Sequence, residues 1–214
     1  MKEIDFKDKN VVITGAASGM GLLASEEFAR LGAKVIMCDI NREALLREAS
    51  RVGGIPMCGD VREYSFAQSV ADMTGTMGGA DILAAFAGGN EARCCDSNVP
   101  FYQQPIEVID WGIDVNLKGP VYFSRALMPQ MVAKQGGVIC LLGSVTGFEG
   151  SGMGSMYGTA KSGIFNFVKG LALAGSPHGV RAFCVSPGPV LTRAAMADMP
   201  TPMGRAAEPH EIVD

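Results

Sequence analysis

Short apolar runs alternate with longer amphipathic stretches along this chain. The short runs are rich in β-branched residues and contain few polar positions, which is typical of strands buried on both faces of a sheet. The longer stretches place apolar residues three and four positions apart, a spacing that predicts helices. Six strands are predicted, at residues 11–14, 34–39, 55–58, 81–87, 137–143 and 180–186.

The predicted helices fill the intervals between these strands. They cover residues 19–31, 42–52, a stretch from about 63, 106–134 and 157–173. Asn41 can cap the second helix, and Gly119-Pro120 is expected to kink the fourth. Residues 88–105 are predicted to form a loop. Strands and helices in this alternation predict an α/β fold, a parallel, doubly wound sheet flanked by helices.

The length and composition of the chain indicate how many domains it has, which partners it lacks and where it is located. A chain of 214 residues is close to the range of about 100–200 residues for one domain, so residues 1–214 are expected to form a single domain. The net charge is −4 and no basic cluster is visible, so no nucleic-acid partner is expected. The charged amino terminus and the lack of long apolar runs predict a cytoplasmic protein with no membrane partner.

Six cysteines are present, and we expect all of them to be reduced. Four lie in or at the ends of apolar runs, where cysteine acts as a small buried hydrophobic residue. These four are Cys38, Cys58, Cys140 and Cys184. Cys94 and Cys95 are adjacent in a predicted loop, too close for an ordinary bridge. Neither cysteine nor histidine spacing supports a metal site, so no metal is predicted.

Candidate proton-transfer chemistry lies in the last third of the chain. Tyr157 and Lys161 are four residues apart on a predicted helix, so their side chains share one face. A neighbouring ammonium lowers the pKa of a phenol, and Lys161 is therefore expected to make Tyr157 a usable acid or base near neutral pH. Ser144 follows a predicted strand, at the sheet edge where ligands bind in open α/β folds.

A glycine-rich turn joins the first strand to the first helix. Gly15, Gly19 and Gly21 lack the Cβ atoms that would obstruct a tight turn or a phosphate near a helix N-terminus. Asp39 ends the second strand 20 residues after Gly19, where a carboxylate can accept hydrogen bonds from ribose hydroxyls. These residues favour NAD over NADP, although Arg42 keeps NADP open because its guanidinium could reach a phosphate.

In these motifs the chain resembles the short-chain dehydrogenase/reductase family, subgroup Gly-x-x-x-Gly-x-Gly and Tyr-x-x-x-Lys. The resemblance covers residues 7–214 and implies a Rossmann-like fold. It implies a catalytic tetrad of Asn116, Ser144, Tyr157 and Lys161. With the glycine turn and Asp39, it implies a cofactor site formed by Gly15, Ser18, Gly19, Met20, Gly21, Asp39, Ile40, Asp60, Val61, Ala87, Gly88, Tyr157, Lys161, Pro187, Gly188, Val190 and Thr192.

The resemblance also implies a role for each member of the tetrad. Ser144 would bind the substrate oxygen, and Tyr157 would move the proton while a hydride passes between substrate and nicotinamide. Lys161 would hold the ribose and lower the pKa of the tyrosine, and Asn116 would anchor a water. Asp60 and Val61 would flank the adenine. The expected partner is a small alcohol or ketone, and the expected assembly is a homodimer or homotetramer.

Two features depart from the family pattern. Ala85-Phe86-Ala87-Gly88 stands where relatives have Asn-Asn-Ala-Gly, so packing of the ring must replace the hydrogen bonds of an amide. The sequence also stops where relatives continue into another helix and a seventh strand. Either the chain is truncated or the last strand is absent, which would leave an exposed sheet edge.

The sequence leaves the substrate open. Residues 145–156 and 193–203 should line the substrate mouth, and both are rich in methionine, which suits an apolar ligand such as a hydroxysteroid. Helix packing is an alternative role for Met196 and Met199, and Glu149 keeps sugars and polyols possible as substrates. An NADPH-dependent ketoreductase and a catalytically silent nucleotide-binding regulator are the alternative functions.

Overall fold

In the computed structural model of this protein the six strands form one sheet. The structure describes residues 5–150, 152 and 154–213. The strands are β1 (Asn10–Thr14), β2 (Lys34–Asp39), β3 (Ile55–Cys58), β4 (Ile82–Ala85), β5 (Gly137–Leu142) and β6 (Val180–Val185). All neighbouring pairs are parallel, in the order β3-β2-β1-β4-β5-β6. The predicted fold class is confirmed. The strand order reverses between β1 and β4, and ligands of such sheets bind at this point.

The helices differ from the prediction in the middle of the chain. They are α1 (Gly19–Arg30), α2 (Arg42–Val52), α3 (Tyr64–Thr76), α4 (Glu91–Cys94), α5 (Ile106–Ile113), α6 (Gly119–Ala133), α7 (Ser155–Gly175) and α8 (His210–Val213). The long predicted helix over 106–134 is broken by a π-helical turn at Asp114–Lys118. The one-turn helix α4 lies within the predicted loop. No helix in the described ranges is both long and apolar enough to cross a membrane.

The core forms two layers, one on each face of the sheet. Val12 of β1 faces α6 and α7, where it shares a cluster with Phe123 and Ile164. The neighbouring Val11 and Ile13 face α1 and α2 on the other side. This alternation is the period of two expected of a strand, and it explains why all five residues of β1 are buried.

Two expectations about the sheet can be compared with the structure. Phe86 packs against the cluster under α1 and α2, so the ring does replace an amide by packing. Within the described residues, β6 pairs only with β5 and forms one edge of the sheet. Phe183 on this strand is 45% exposed.

All six cysteines are free, as expected. Burial raises the pKa of the Cys38 thiol far above its usual range, and it raises that of Cys140 to about 12. These two thiols are therefore unreactive hydrophobic groups. Cys94 lies in helix α4 rather than in an extended loop, because Asn90 caps that short helix by accepting from the Arg93 amide.

Candidate active site

The glycine turn after β1 packs closely against the residues that follow β4. Gly15 has φ +70°, and a Cβ there would stand 2.9 Å from the Ala87 amide nitrogen. A Cβ at Gly21 would be 2.2 Å from the carbonyl oxygen of Gly15. Gly19 also has a positive φ, +54°. Because backbone atoms cause both close approaches, no side chain fits at Gly15 or Gly21 without moving the turn.

The turn ends at the N-terminus of α1. Ser18 is the N-cap residue, its side chain makes no capping hydrogen bond, and the first turn of the helix carries no acidic residue. Met20 lies in this first turn. An anion is favoured here because the leading backbone N–H groups and the helix dipole both point towards it. The glycine turn and the N-terminus of α1 therefore fit the pyrophosphate of a dinucleotide.

Asp39 connects the end of β2 to this turn. One carboxylate oxygen accepts from the Ala17 amide at 3.0 Å and the other from the Asn41 amide at 2.9 Å. The capping of α2 falls to Asn41, whose side chain accepts from the Ala44 amide at 3.1 Å. Asp39 is thus held beside the glycine turn. Ile40, next in sequence, is 65% exposed.

Asp60 and Val61 follow β3, at the opposite edge of the sheet from β6. Asp60 pairs with Arg62 at 2.5 Å, and this guanidinium keeps the pKa of the carboxyl below its usual value. Val61 packs against α6, where a Cβ on Gly119 would be 3.1 Å from its Cγ2. The expected contact of both residues with adenine stays a prediction.

Ser144, Tyr157 and Lys161 come together at the end of β5. Ser144 follows this strand, and its hydroxyl accepts from the amide and the hydroxyl of Thr146 at 3.2 and 2.9 Å. The Ser144 side chain lies close enough to the Tyr157 hydroxyl to lower the pKa of the phenol. The Lys161 ammonium lies 5.4 Å from the centre of the tyrosine ring and donates to the Leu142 carbonyl at 2.7 Å.

Asn116 lies in the π-helical turn and is completely buried. Its amide oxygen accepts from the Gly89 amide, and its nitrogen donates to the carbonyls of Gly89 and Gly112, each at 2.9 Å. A Cβ on Gly88 would be 2.5 Å from the Asn116 oxygen and 3.8 Å from the Lys161 nitrogen. The side chain therefore ties the loop after β4 to the helices. A π turn is a frequent mark of a functional position within a helix.

The pKa values differ from the expected direction. Burial lowers the pKa of Lys161 to about 8. Burial also raises the pKa of Tyr157, and the nearby Ser144 side chain offsets only part of this effect. The prediction that Lys161 brings the tyrosine pKa below its ordinary value is therefore wrong for the polypeptide alone. The physical reason is that removing a phenolate from water costs more free energy than the neighbouring groups return by stabilising its charge.

The segment after β6 closes over the glycine turn. The Pro187 carbonyl accepts from the Val145 amide at 3.0 Å, which holds this segment beside Ser144. Val190 is buried and bridges to Ala207, whereas a Cβ on Gly188 would contact nothing within 4 Å. The Thr192 methyl would lie 3.8 Å from a Cβ on Gly19. The glycine turn and the segment after β6, which are both predicted to bind the cofactor, thus face each other.

Glu91 is a site residue that sequence reasoning missed. It is only 2% exposed, and its two carboxylate oxygens accept from the amides of Met156 and Tyr157 at 2.7 and 2.9 Å. A carboxylate at the start of α7 satisfies N–H groups that have no partner inside the helix. The signal was weak, because the acid follows Gly-Gly-Asn in a segment without helical periodicity.

A cleft of about 370 Å³ opens beside Tyr157. It is lined by the loop after β5 and the start of α7, and Phe148 and Glu149 contribute to its wall. Ser151 and Met153 of the predicted mouth lie outside the described residues. In the opposite predicted segment, Ala194–Met196 forms a short 3-10 turn and Met199 is 44% exposed, so neither Met196 nor Met199 lies in a regular helix core.

Comparisons with known proteins agree with this geometry. The family model described as short chain dehydrogenase matches residues 9–202. The chain belongs to the short-chain dehydrogenase/reductase family. Its members are oxidoreductases that use nicotinamide cofactors and act on small molecules. The family predicted from the motifs is confirmed.

Individual relatives are moderately similar. A 7alpha-hydroxysteroid dehydrogenase of Bacteroides fragilis is 29% identical over 202 residues, covering 91% of this chain and 76% of the relative. Oxidoreductase UcpA of Salmonella typhimurium is 32% identical over 212 residues, covering 96% and 77%. The structure of a 3-oxoacyl-[acyl-carrier protein] reductase with bound NAD from Brucella melitensis superimposes with a TM-score of 0.87 at 28% identity, covering 100% and 88%.

Proposed function

We propose that this protein is an NAD-dependent dehydrogenase/reductase that interconverts a secondary alcohol and its ketone. The observation that carries the proposal is the Lys161 ammonium 5.4 Å from the centre of the Tyr157 ring, with Ser144 near enough to the phenol to lower its pKa. A phenol in this setting can exchange a proton with an oxygen atom bound next to it. Gly88, at the carboxyl end of β4, joins this site to the glycine turn.

The residues divide the chemistry among them. Nicotinamide, when bound, supplies or accepts the hydride. Ser144 binds the substrate oxygen and holds it next to the phenol. Tyr157 donates the proton to that oxygen during ketone reduction and removes it during alcohol oxidation. Lys161 stabilises the phenolate by its charge, and Asn116 fixes the loop that carries Gly88.

The cofactor is proposed to be NAD because Asp39 stands beside the glycine turn. A carboxylate there accepts hydrogen bonds from ribose hydroxyls and repels a 2′-phosphate. The structural relative from Brucella melitensis was solved with NAD, which supports the proposal. Steady-state rates with NADH and NADPH test it, and a higher kcat/KM with NADPH would favour the ketoreductase alternative.

The assembly and the location are also part of the proposal. Members of the family are commonly oligomeric, and we propose a homodimer or homotetramer in the cytoplasm. Sedimentation equilibrium measures the first property. A monomer at micromolar concentration would contradict it.

The test of the reaction is Tyr157→Phe. We expect kcat to fall about 10²–10⁴-fold because the proton donor is lost, while the affinity for NADH, measured by its fluorescence, stays unchanged. Tyr64→Phe on α3 is the matched control. The substrates are a panel of steroids, polyols and short ketones, followed by NADH absorbance. Turnover retained in Tyr157→Phe would contradict the assignment, and NADH binding without any turnover in the wild type would favour the regulator.

A further inference from the structure

Two arginines reach the substrate side of this site from different segments. Arg93 belongs to α4, two residues after Glu91, whose carboxylate is bonded to the backbone of Tyr157. The guanidinium of Arg93 lies over Gly89, where a Cβ would be 2.8 Å from its Nη2 atom. Gly89 in turn is paired with Asn116. Helix α4 therefore holds Arg93 against Gly89, the loop residue that is paired with Asn116.

Arg193 comes from the segment that closes over the glycine turn. It follows Thr192, whose methyl would lie 3.8 Å from a Cβ on Gly19. Its Nη2 atom is 3.8 Å from the sulfur of Met196. The charge of Arg193 acts on Tyr157 and is itself repelled by Arg93, so the two guanidinium groups lie within electrostatic range of each other and of the phenol.

No acidic side chain compensates these charges within the described part of the chain. Neither arginine forms an ion pair with a carboxylate there. Glu91, the nearest acid in sequence to Arg93, is directed to the start of α7. Two guanidinium groups that repel each other beside a reactive phenol favour an anion between them. Arginine binds a carboxylate through two parallel hydrogen bonds.

We propose that Arg93 and Arg193 bind a carboxylate of the substrate, so that the enzyme interconverts a keto acid and the corresponding hydroxy acid. The proposal rests on the proposed function and specifies its substrate class. In the reductive direction the carbonyl carbon receives the hydride of reduced nicotinamide, the carbonyl oxygen receives the proton of Tyr157, and the C=O double bond becomes a single bond. The carboxylate itself is unchanged.

The experiment compares keto acids with their methyl esters, which share the carbon skeleton but lack the charge. The pairs are 3-oxobutanoate, 4-oxopentanoate and 4-acetylbenzoate with their methyl esters, each reduced by NADH. We expect at least one acid to have a kcat/KM about 10- to 100-fold above that of its ester, the range for hydrogen bonds to charged groups. In Arg93→Gln/Arg193→Gln this ratio should approach one.

Arg181→Gln is the matched control, because Arg181 is an exposed arginine on β6; it should leave the ratio unchanged. The affinity for NADH is measured for each variant. A lower affinity for NADH in Arg193→Gln, with an unchanged ratio of acid to ester, would assign Arg193 to the nucleotide and overturn the proposal. Equal turnover of acids and esters by the wild type would overturn it too, while leaving the redox function intact.

Calorimetry separates failure of the two proposals. The acids and esters are titrated into the wild-type protein with NADH present, which requires no turnover. Tighter binding of the acids, lost in the double variant, with no reaction of any compound would support the carboxylate site and contradict the redox function. Equal binding of acids and esters without turnover would overturn both.

Discussion

The nucleotide side and the substrate side of this molecule are built by different means. The nucleotide side consists of the glycine turn at residues 14–21 and the end of β2. Its glycines leave no room for a Cβ against neighbouring backbone atoms at Gly15 and Gly21. The substrate side consists of residues 89–105, 144–161 and 193–203. There, buried side chains join segments far apart in sequence, such as Glu91 and Tyr157, which are 66 residues apart.

A sequence motif is sufficient to predict the nucleotide side but not the substrate side. Positions at which the backbone leaves no room for a Cβ, such as Gly15 and Gly21, can be predicted from the glycines themselves. A loop held by a buried carboxylate or amide depends on partners that only the fold brings together. The nucleotide side should therefore respond to added volume, and the substrate side to altered charge and hydrogen bonding.

The largest expected effect is that of added volume in the glycine turn. In Gly21→Ala the new Cβ would meet the Gly15 carbonyl at 2.2 Å, and overpacking against rigid backbone is expected to cost about 3 kcal/mol of unfolding free energy. NADH binding should be lost with it. Gly170→Ala on α7, where a Cβ meets nothing within 4 Å, is the control and should gain up to about 1 kcal/mol. Urea denaturation and NADH fluorescence provide the two measurements. Equal stability of Gly21→Ala and Gly170→Ala would show that the backbone around Gly21 does accommodate added volume.

The next effect concerns the buried cation of the substrate side. The folded pKa of Lys161 is about 8, below the ordinary value of 10.5, so between these pH values the unfolded chain binds more protons. Stability due to this residue therefore rises with pH through this window, by up to about 3 kcal/mol. Below pH 8 both states carry the charge and no further change is expected.

The check is the difference in unfolding free energy between the wild type and Lys161→Met, measured by urea denaturation from pH 7.5 to 10.5. Subtracting the variant removes the titration of other groups. Lys169→Met, which removes an exposed lysine from the same helix, is the matched control. A flat difference for Lys161 would show that its ammonium is not desolvated as the structure indicates.

The smallest of the three effects is expected at Glu91. In Glu91→Gln the amide keeps the shape of the side chain but loses the charge that binds two N–H groups at the start of α7. We expect a loss of about 1–2 kcal/mol in stability. We also expect kcat to fall about tenfold, with unchanged NADH affinity, because Tyr157 would be less well positioned. Glu107→Gln, in the first turn of α5 and exposed, is the control. A stability loss with no change in kcat would limit Glu91 to a structural role.

Much of the fold could be predicted from the sequence. β2, β3 and α2 have their predicted bounds, because continuous apolar runs and an Asn41 cap specify them locally. β4 is shorter than predicted and covers only Ile82–Ala85, since the chain turns away to form the loop of Gly88. The break in the helix over 106–134 was expected at Gly119-Pro120. It is instead a π turn centred on Asn116, whose side chain bonds to Gly89, a partner not visible from helical periodicity.

The candidate site shows the same division. Ser144, Tyr157, Lys161 and the glycine turn were predicted from residue types and spacing, and Asn116 from the family resemblance. The structure brings Ser144, Tyr157 and Lys161 together. The pKa of Tyr157 was predicted in the wrong direction because spacing describes the neighbouring charge and omits burial. Glu91 and Arg93 were missed as site residues because both act through tertiary contacts of a segment predicted to be a loop, whereas Arg193 lies at the start of the predicted substrate mouth.

In the proposed reaction a hydride passes to a ketone while Tyr157 delivers the proton. Transfer of an isotope label from NADH to the product tests this reaction. NADH deuterated at C4 of the nicotinamide, on either face in separate reactions, is incubated with the ketone panel and the products are analysed by mass spectrometry. We predict deuterium at the carbinol carbon with one of the two labelled faces, and a far smaller yield with Tyr157→Phe. Products without deuterium, or equal yields from the variant and the wild type, would contradict the account.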